Sequence, residues 1–139
     1  MPEPTILIVD DDADMRFLAK AALRHVDPYA KFRVLDAADG PSALRLAQRV
    51  LADRTPLLVL CDQRMPGMTG AEVSVAFAKM RGDTPTRFVL FSSLREGSQL
   101  DPRRSGAADE VLEKGFGTAQ WREQIGRVVR AWGAALSQR

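Results

Sequence analysis

The chain has 139 residues, of which 45% are apolar, and this length and composition are typical of one globular domain with a single core. No apolar run approaches the roughly 18 residues that cross a bilayer, and the amino terminus lacks the pattern of a secretion signal, so we expect a cytoplasmic protein without membrane contact. The net charge of +2 and the dispersed basic residues do not favour direct binding to nucleic acid.

Short apolar runs alternate along the chain with segments of helical length. Five runs are short enough to be strands, the second being the weakest: Thr5–Val9, Phe32–Leu35, Leu57–Cys61, Arg87–Phe91 and Glu110–Glu113. Between them, apolar residues at spacings of three and four predict amphipathic helices: Met15, Leu18, Ala19, Ala22 and Val26, then Ala43, Leu44, Ala47, Val50 and Leu51, then Val73, Ala76, Phe77 and Met80. The single cysteine, Cys61, lies inside an apolar run, which favours a small buried side chain over a catalytic thiol.

Two further helices are predicted in the carboxy-terminal third. Asp101-Pro102 has the pattern of a cap followed by a first-turn proline, which predicts a short fourth helix ending by Gly106. A long last helix is predicted by Trp121, Ile125, Val128, Val129, Trp132 and Leu136. Thr118 is the expected N-cap of that last helix.

Five strands alternating with five helices predict a parallel sheet with helices on both faces, because parallel neighbours require crossover connections. In such sheets the ligand site lies beyond the carboxyl ends of the strands. The first strand leads into Asp10, Asp11 and Asp12 and the third into Asp62, so these carboxylates should gather at one edge. Crowded carboxylates repel unless a cation joins them, and Mg²⁺, which prefers oxygen ligands, is the expected cofactor.

Two more polar groups are predicted at the same edge. The fourth strand ends in Ser92-Ser93, which supplies a hydroxyl, and the fifth is followed by Lys114, which supplies an ammonium group. A carboxylate nucleophile, a metal ion, a hydroxyl and a lysine are the parts that move a phosphoryl group. The sequence therefore favours phosphorylation of an aspartate.

These segments resemble the receiver domains of two-component response regulators, of the CheY type. The resemblance is carried by residues 6–12 (ILIVDDD), residues 61–70 (CDQRMPGMTG), Ser92-Ser93 and Lys114, and it covers nearly the whole chain. It implies a flavodoxin-like (βα)5 three-layer sandwich with a parallel sheet of order 2-1-3-4-5. We expect residues 1–139 to form a single receiver domain without an output domain; the alternative left open is that the sequence is an excised piece of a longer protein.

The resemblance also implies roles for individual residues. Asp62 would be the phosphoacceptor, and Mg²⁺ would be bound by Asp11, Asp62 and the backbone carbonyl of Arg64, with Asp10 acting through a metal-bound water. The Arg64 side chain is a further hypothesis, since it would contact the phosphoryl group or an incoming partner. Asp12 receives no role.

Ser92 and Lys114 match positions of the family, but residues near them in the sequence differ from the family pattern. Ser92 would donate a hydrogen bond to a phosphoryl oxygen, and Lys114 would pair with the phosphoryl group. Glycine follows Lys114 where the family commonly has proline, and Val111 occupies the usual aromatic switch position. Any coupling through Ser92 must therefore use the backbone of the fourth strand and the following loop, or another route.

The implied partners are a histidine kinase or phosphotransfer protein as donor and an unknown downstream protein. The downstream protein would bind the face formed by the fourth helix, fifth strand and last helix, and a homodimer on phosphorylation stays open. The domain would catalyse its own phosphotransfer and slow self-dephosphorylation rather than act on other substrates.

Two other functions compete with this interpretation. A haloacid-dehalogenase-type phosphohydrolase also forms an aspartyl phosphate, but it needs an acid where this chain has Arg64, and the chain has little room for a substrate-covering cap. An adaptor that binds proteins without phosphorylation is compatible with Val111 and with glycine after Lys114, but it would not need so concentrated a set of charges.

Overall fold

The computed structural model describes residues 3–26, 32–92, 106–114 and 117–138, and a parallel sheet of five strands lies at its centre. The strands are β1 (Thr5–Val9), β2 (Arg33–Ala37), β3 (Leu57–Asp62), β4 (Thr86–Ser92) and β5 (Glu110–Glu113). They lie in the order β2-β1-β3-β4-β5, and every neighbouring pair is parallel. The predicted topology is therefore confirmed.

Strand β2 is displaced from its prediction because backbone pairing, rather than an apolar run, sets its limits. Residues Arg33 to Ala37 pair in register with Thr5 to Val9, so the strand extends two residues past Leu35. Its side chains are mostly half-exposed, as expected for the edge of a sheet. That exposure is why the sequence signal was weak.

Four helices are described: α1 (Ala13–Leu23), α2 (Gly40–Ala52), α3 (Gly70–Ala78) and α4 (Gly117–Ser137). The prediction that Val26 continues α1 is wrong, because Arg24 caps the helix and Val26 lies in the following turn. The prediction that Thr118 caps the last helix is also wrong, since α4 begins at Gly117, whose φ of +77° suits glycine. The short helix predicted between Asp101 and Gly106 falls almost entirely outside the described residues.

The helices form two layers that enclose the sheet. Helices α1 and α4 pack together on one face, whereas α2 and α3 pack together on the other. Strand side chains alternate between the layers, so that Ile6 and Ile8 contact the first layer and Leu7 and Val9 the second. This is the predicted three-layer sandwich. Within the described ranges no helix is long and apolar enough to span a bilayer.

The loop between β3 and α3 is held tightly against the carboxyl edge of the sheet. The backbone N–H of Gln63 donates to the Phe91 carbonyl at 2.9 Å, and the Gln63 carbonyl accepts from the N–H of Gly70 at 3.0 Å. A Cβ atom at Gly70 would lie only 2.4 Å from the carbonyl oxygen of Asp62 and 2.4 Å from Leu90 Cδ1. Glycine is thus required there for α3 to start against the end of β3.

Candidate functional site

Three carboxylates meet at the carboxyl ends of the adjacent strands β1 and β3. Oxygen atoms of Asp10, Asp11 and Asp62 all lie within 4.8 Å of one another. Asp10 is buried, Asp62 is partly buried and Asp11 is exposed. The predicted gathering of acids at this edge is confirmed for these three, whereas Asp12 is not part of the cluster. The cluster could hold a hard divalent cation, since its donors are all carboxylate oxygens.

Lys114 brings a positive charge to this cluster from the end of β5. Its Nζ lies 3.3 Å from Asp10 Oδ2 and 3.6 Å from Asp62 Oδ1. Its backbone N–H donates to the carbonyl oxygen of Ser92 at 2.8 Å, which continues the pairing of β4 and β5. This backbone contact helps to hold Lys114 beside the carboxylates, although glycine rather than proline follows it in the sequence.

The environment of Asp62 disfavours its charged form. The pKa of Asp62 is raised to about 6, first because burial removes water from the carboxylate, and further by the negative charges of Asp10 and Asp11. Lys114 opposes this rise through its charge and a hydrogen bond. A bound cation would add to the effect of Lys114, so the site is electrostatically suited to accept one.

Cys61 precedes Asp62 and is fully buried. Burial raises the pKa of its thiol well above the usual value, and the charges of Asp62 and Asp10 add to the effect. The thiolate, which is the reactive form, is therefore suppressed. This agrees with the interpretation of Cys61 as a buried apolar side chain.

A cavity of about 590 Å³ lies beside the carboxylates. It is lined by Asp11, Asp62, Gln63, Arg64, Met65, Pro66 and Lys114. Asp11 and Arg64 are exposed, so the cavity opens to solvent at these residues. Asp10 and Ser92 are not among its lining residues and are only 5% and 2% exposed.

Ser92 is the last residue of β4, and its hydroxyl oxygen is buried. Among the residues that the structure describes, this oxygen has no hydrogen-bond partner. A buried hydroxyl without a partner is energetically costly, which favours a ligand that supplies one. Ser93, which was predicted to end the strand together with Ser92, falls outside the described residues.

Three contacts near the site were not predicted from the sequence. Asp12 is the N-cap of α1, where its side chain accepts from the N–H of Asp14 at 2.9 Å. Arg16 donates from Nη1 to the carbonyl oxygen of Asp10 at 2.7 Å. The ammonium of Lys114 lies over the ring of Trp121, 5.2 Å from its centroid. The cap had a signal, an aspartate directly before a helical pattern, whereas the other two contacts depend on tertiary packing.

The sequence is similar to a known domain family and to parts of longer signalling proteins. The sequence model of the response regulator receiver domain matches residues 6–126. The transcriptional regulatory protein PrrA of Mycobacterium tuberculosis is 32% identical over 137 residues, which make up 96% of this chain and 53% of that protein. Histidine kinase P4 of Formosa agariphila is 32% identical over 128 residues, 90% of this chain and 8% of that protein. The chain thus spans about half or less of the length of these relatives.

A solved structure shares the fold. The crystal structure of a response regulator receiver domain protein from Clostridium thermocellum superimposes with a TM-score of 0.70 at 16% sequence identity. The superposition covers 95% of this chain and 98% of that chain. The likeness shows the fold.

Proposed function

Since the chain belongs to the family of response regulator receiver domains, we propose that it accepts a phosphoryl group on Asp62 in a two-component phosphorelay. The donor would be a phosphohistidine on a histidine kinase or phosphotransfer protein. The observation that carries the proposal is the meeting of Asp10, Asp11 and Asp62 with Lys114 beside a solvent-open cavity.

In the proposed transfer, an Asp62 carboxylate oxygen forms a bond to phosphorus while the P–N bond of the donor breaks. The electron pair of that bond leaves with the imidazole nitrogen, so no oxidant or reductant is needed. Asp62 fits this role because it lines the cavity, whereas Asp10 is buried and is not among the residues that line the cavity. Partial burial also removes water that would otherwise shield the nucleophile.

The carboxylates of Asp11 and Asp62 with the backbone carbonyl of Arg64 would hold Mg²⁺, and Asp10 would act through a bound water. The ion would supply positive charge against the oxygens of the phosphoryl group. The donor set fits, because all three carboxylates lie within 4.8 Å of one another and Asp11 remains open to solvent. Lys114 contributes one positive charge beside the three carboxylates, so a divalent cation would balance the remaining negative charge.

Ser92 and Lys114 would hold the transferred group. Lys114 Nζ already lies 3.6 Å from Asp62 Oδ1, so it can pair with a phosphoryl oxygen attached to that carboxylate. The hydroxyl of Ser92 is buried and lacks a partner within the described ranges, so a phosphoryl oxygen would give it an acceptor. The phosphoryl group would be lost by slow hydrolysis, in which water forms a bond to phosphorus, the bond to the Asp62 oxygen breaks, and inorganic phosphate leaves the regenerated carboxylate.

Residues 1–139 would act as one receiver unit whose state is read by a downstream protein. The reading surface would include β5 and α4, together with the short helix predicted near Asp101, and the same surface could form a homodimer. The chemistry requires no nucleic-acid or membrane contact. We propose a cytoplasmic location for a protein with this function.

The test is incubation with Mg²⁺ and acetyl phosphate, followed by intact mass measurement. We expect one added phosphoryl group on the wild type and none on Asp62→Asn. Asp12→Asn is the matched control, because it removes a neighbouring charge outside the carboxylate cluster and should be phosphorylated like the wild type. An unmodified wild type would contradict the proposal and favour an adaptor, and steady turnover of an added phosphomonoester would favour a phosphohydrolase.

A panel of histidine kinases and phosphotransfer proteins, tested on the wild type and on Asp62→Asn, then identifies the donor. Transfer from at least one donor to the wild type alone is the expected result. Equal transfer to both proteins would mean that the acceptor is another residue.

A further inference from the structure

Trp121 connects the phosphorylation site with helix α4. It lies in the first turns of α4 and is only 6% exposed. Its ring packs edge-to-face on Phe91, with centroids 4.7 Å apart and planes at 77°. The ammonium of Lys114 lies 5.2 Å from the centroid of the same ring. One side chain therefore contacts both the end of β4 and the lysine of the site.

The contact between Lys114 and Trp121 is attractive, because the face of an indole ring carries partial negative charge. Lys114 is 22% exposed in its side chain, so the attraction is only partly screened by water. The same ammonium faces Asp10 and Asp62 at 3.3 and 3.6 Å. The ring thus limits where a long flexible side chain can place its charge, and it keeps that charge at the carboxylates.

Helix α4 is joined to the end of β5 by a second contact. The side-chain amide of Gln124 donates to the carbonyl oxygen of Glu113, the residue before Lys114, at 2.5 Å. The indole N–H of Trp121 has no hydrogen-bond partner in the described part of the chain, so the ring can shift without breaking one. Val111, at the usual aromatic switch position, has no ring that could serve instead.

We propose that Trp121 is a positioning residue that holds Lys114 at the acceptor carboxylate and passes its displacement to helix α4. The proposal rests on the proposed phosphorylation of Asp62. When a phosphoryl group is added, Lys114 pairs with its oxygens, the distance from ammonium to indole changes, and the start of α4 responds. The coupling from the site to the surface runs through this tryptophan.

A double-mutant cycle tests the positioning role. The measured quantity is the rate constant for phosphorylation of Asp62 by acetyl phosphate at saturating Mg²⁺. We expect Trp121→Leu to lower it about three- to tenfold and Trp121→Phe, which keeps an aromatic face, to restore most of it. In a Lys114→Ala background, Trp121→Leu should have no further effect, because the ring acts through the ammonium.

The control is Trp132→Leu, which truncates the other buried tryptophan of the same helix. We expect it to lower stability without changing the rate constant of the folded protein. An equal fold-loss from Trp121→Leu with and without Lys114 would overturn the proposal, as would an unchanged rate. If wild type is not phosphorylated at all, the proposed function fails instead, so the two failures are distinguishable.

Fluorescence gives a second measurement that does not depend on Trp121→Leu being folded. The chain has two tryptophans, so Trp132→Phe leaves Trp121 as the only one. With Mg²⁺ present, we expect beryllofluoride, which mimics a phosphoryl group, to change the Trp121 emission well beyond the effect of Mg²⁺ alone. Unchanged emission under conditions where ¹⁹F NMR detects bound beryllofluoride would contradict the displacement of Lys114.

Discussion

Burial raises the pKa of the Asp62 carboxyl group, and the neighbouring charge of Lys114 lowers it. Because its folded pKa of about 6 exceeds that of an unfolded aspartate, the folded state keeps a proton that the unfolded state loses near pH 4. This contribution to stability is complete below the unfolded pKa and is lost as pH rises through about 6. Ionised Asp62 is thus a cost that the metal-free protein carries at neutral pH.

We therefore expect Asp62→Asn to gain stability relative to the wild type between about pH 4 and about pH 7. The difference between their free energies of unfolding should change by about 1 to 2 kcal/mol in favour of Asp62→Asn, a value discounted for partial solvent access. Urea denaturation in the presence of EDTA measures it. A difference that does not vary with pH would show that Asp62 titrates normally in the folded protein.

Arg64 is exposed and lines the cavity beside Asp62, so its charge can attract an anionic phosphodonor. Arg64→Ala should slow phosphorylation by acetyl phosphate about two- to fivefold, with the effect shrinking as salt is raised. Arg64→Lys, which keeps the charge, is the matched control. If phosphorylation and dephosphorylation rates of Arg64→Ala equal those of the wild type, the hypothesis for this side chain is wrong.

The residues at strand ends could be predicted because parallel strands bring their carboxyl ends to one edge. Asp10 and Lys114 directly follow β1 and β5, and Asp62 is the last residue of β3. A strand end is visible in the sequence as the end of an apolar run. The contact between Lys114 and Trp121 could not be predicted in this way. It depends on how α4 packs across the sheet, and a buried tryptophan has the same sequence pattern whether or not an ammonium lies over its ring.

Helix α1 begins immediately beside the carboxylate cluster, and its first turn depends on Asp12. Asp12→Ala removes the acceptor for the N–H of Asp14 and should lower the free energy of unfolding by about 1 kcal/mol. Phosphorylation of Asp62 should stay within about twofold of wild type, because the Asp12 side chain lies outside the cluster of three carboxylates. Chemical denaturation and mass measurement check the two effects.

Asp12→Asn, which keeps a capping oxygen, should retain most of the stability lost in Asp12→Ala. A large loss of phosphorylation in Asp12→Ala would instead mean that Asp12 belongs to the metal site. That loss would give Asp12, the third acid of residues 10–12, a role in metal binding.

Strand boundaries were predictable where polar or charged residues flank an apolar run. The predicted limits of β1 and β5 agree with the structure, and β3 differs by one residue. Boundaries set by the backbone were missed, as at β2, where pairing with β1 continues through half-exposed residues. The start of α4 was also missed, because the helix begins at Gly117 and Thr118 therefore lies inside it.

At the scale of the whole molecule, the carboxylate cluster joins the ends of two central strands, so a bound cation should stabilise the entire sheet. We expect Mg²⁺ at ten times its Kd to raise the free energy of unfolding by about 1.4 kcal/mol, because only the folded state gathers the ligands. Asp11→Asn should weaken this gain, whereas Asp12→Asn should keep it. Equal gains in both variants would exclude Asp11 from the site.

The architecture followed from the alternation of strands and helices, which requires crossover connections and hence a parallel sheet. The order of the strands could not be predicted from the alternation, because alternation alone permits several orders. The order β2-β1-β3-β4-β5 came from the family resemblance and is confirmed. The division of the core into two clusters on opposite faces follows from the period of two along each strand.

The buried thiol of Cys61 can be used to detect opening of the sheet. As the only cysteine, it sits in the central strand next to the acceptor, where reagents cannot reach it until β3 separates from its neighbours. Alkylation by a maleimide should therefore require the sheet to open, and Mg²⁺ should slow it by stabilising the closed form. Rapid modification of the native protein would reveal a local opening beside Asp62 that spectroscopic unfolding curves cannot detect.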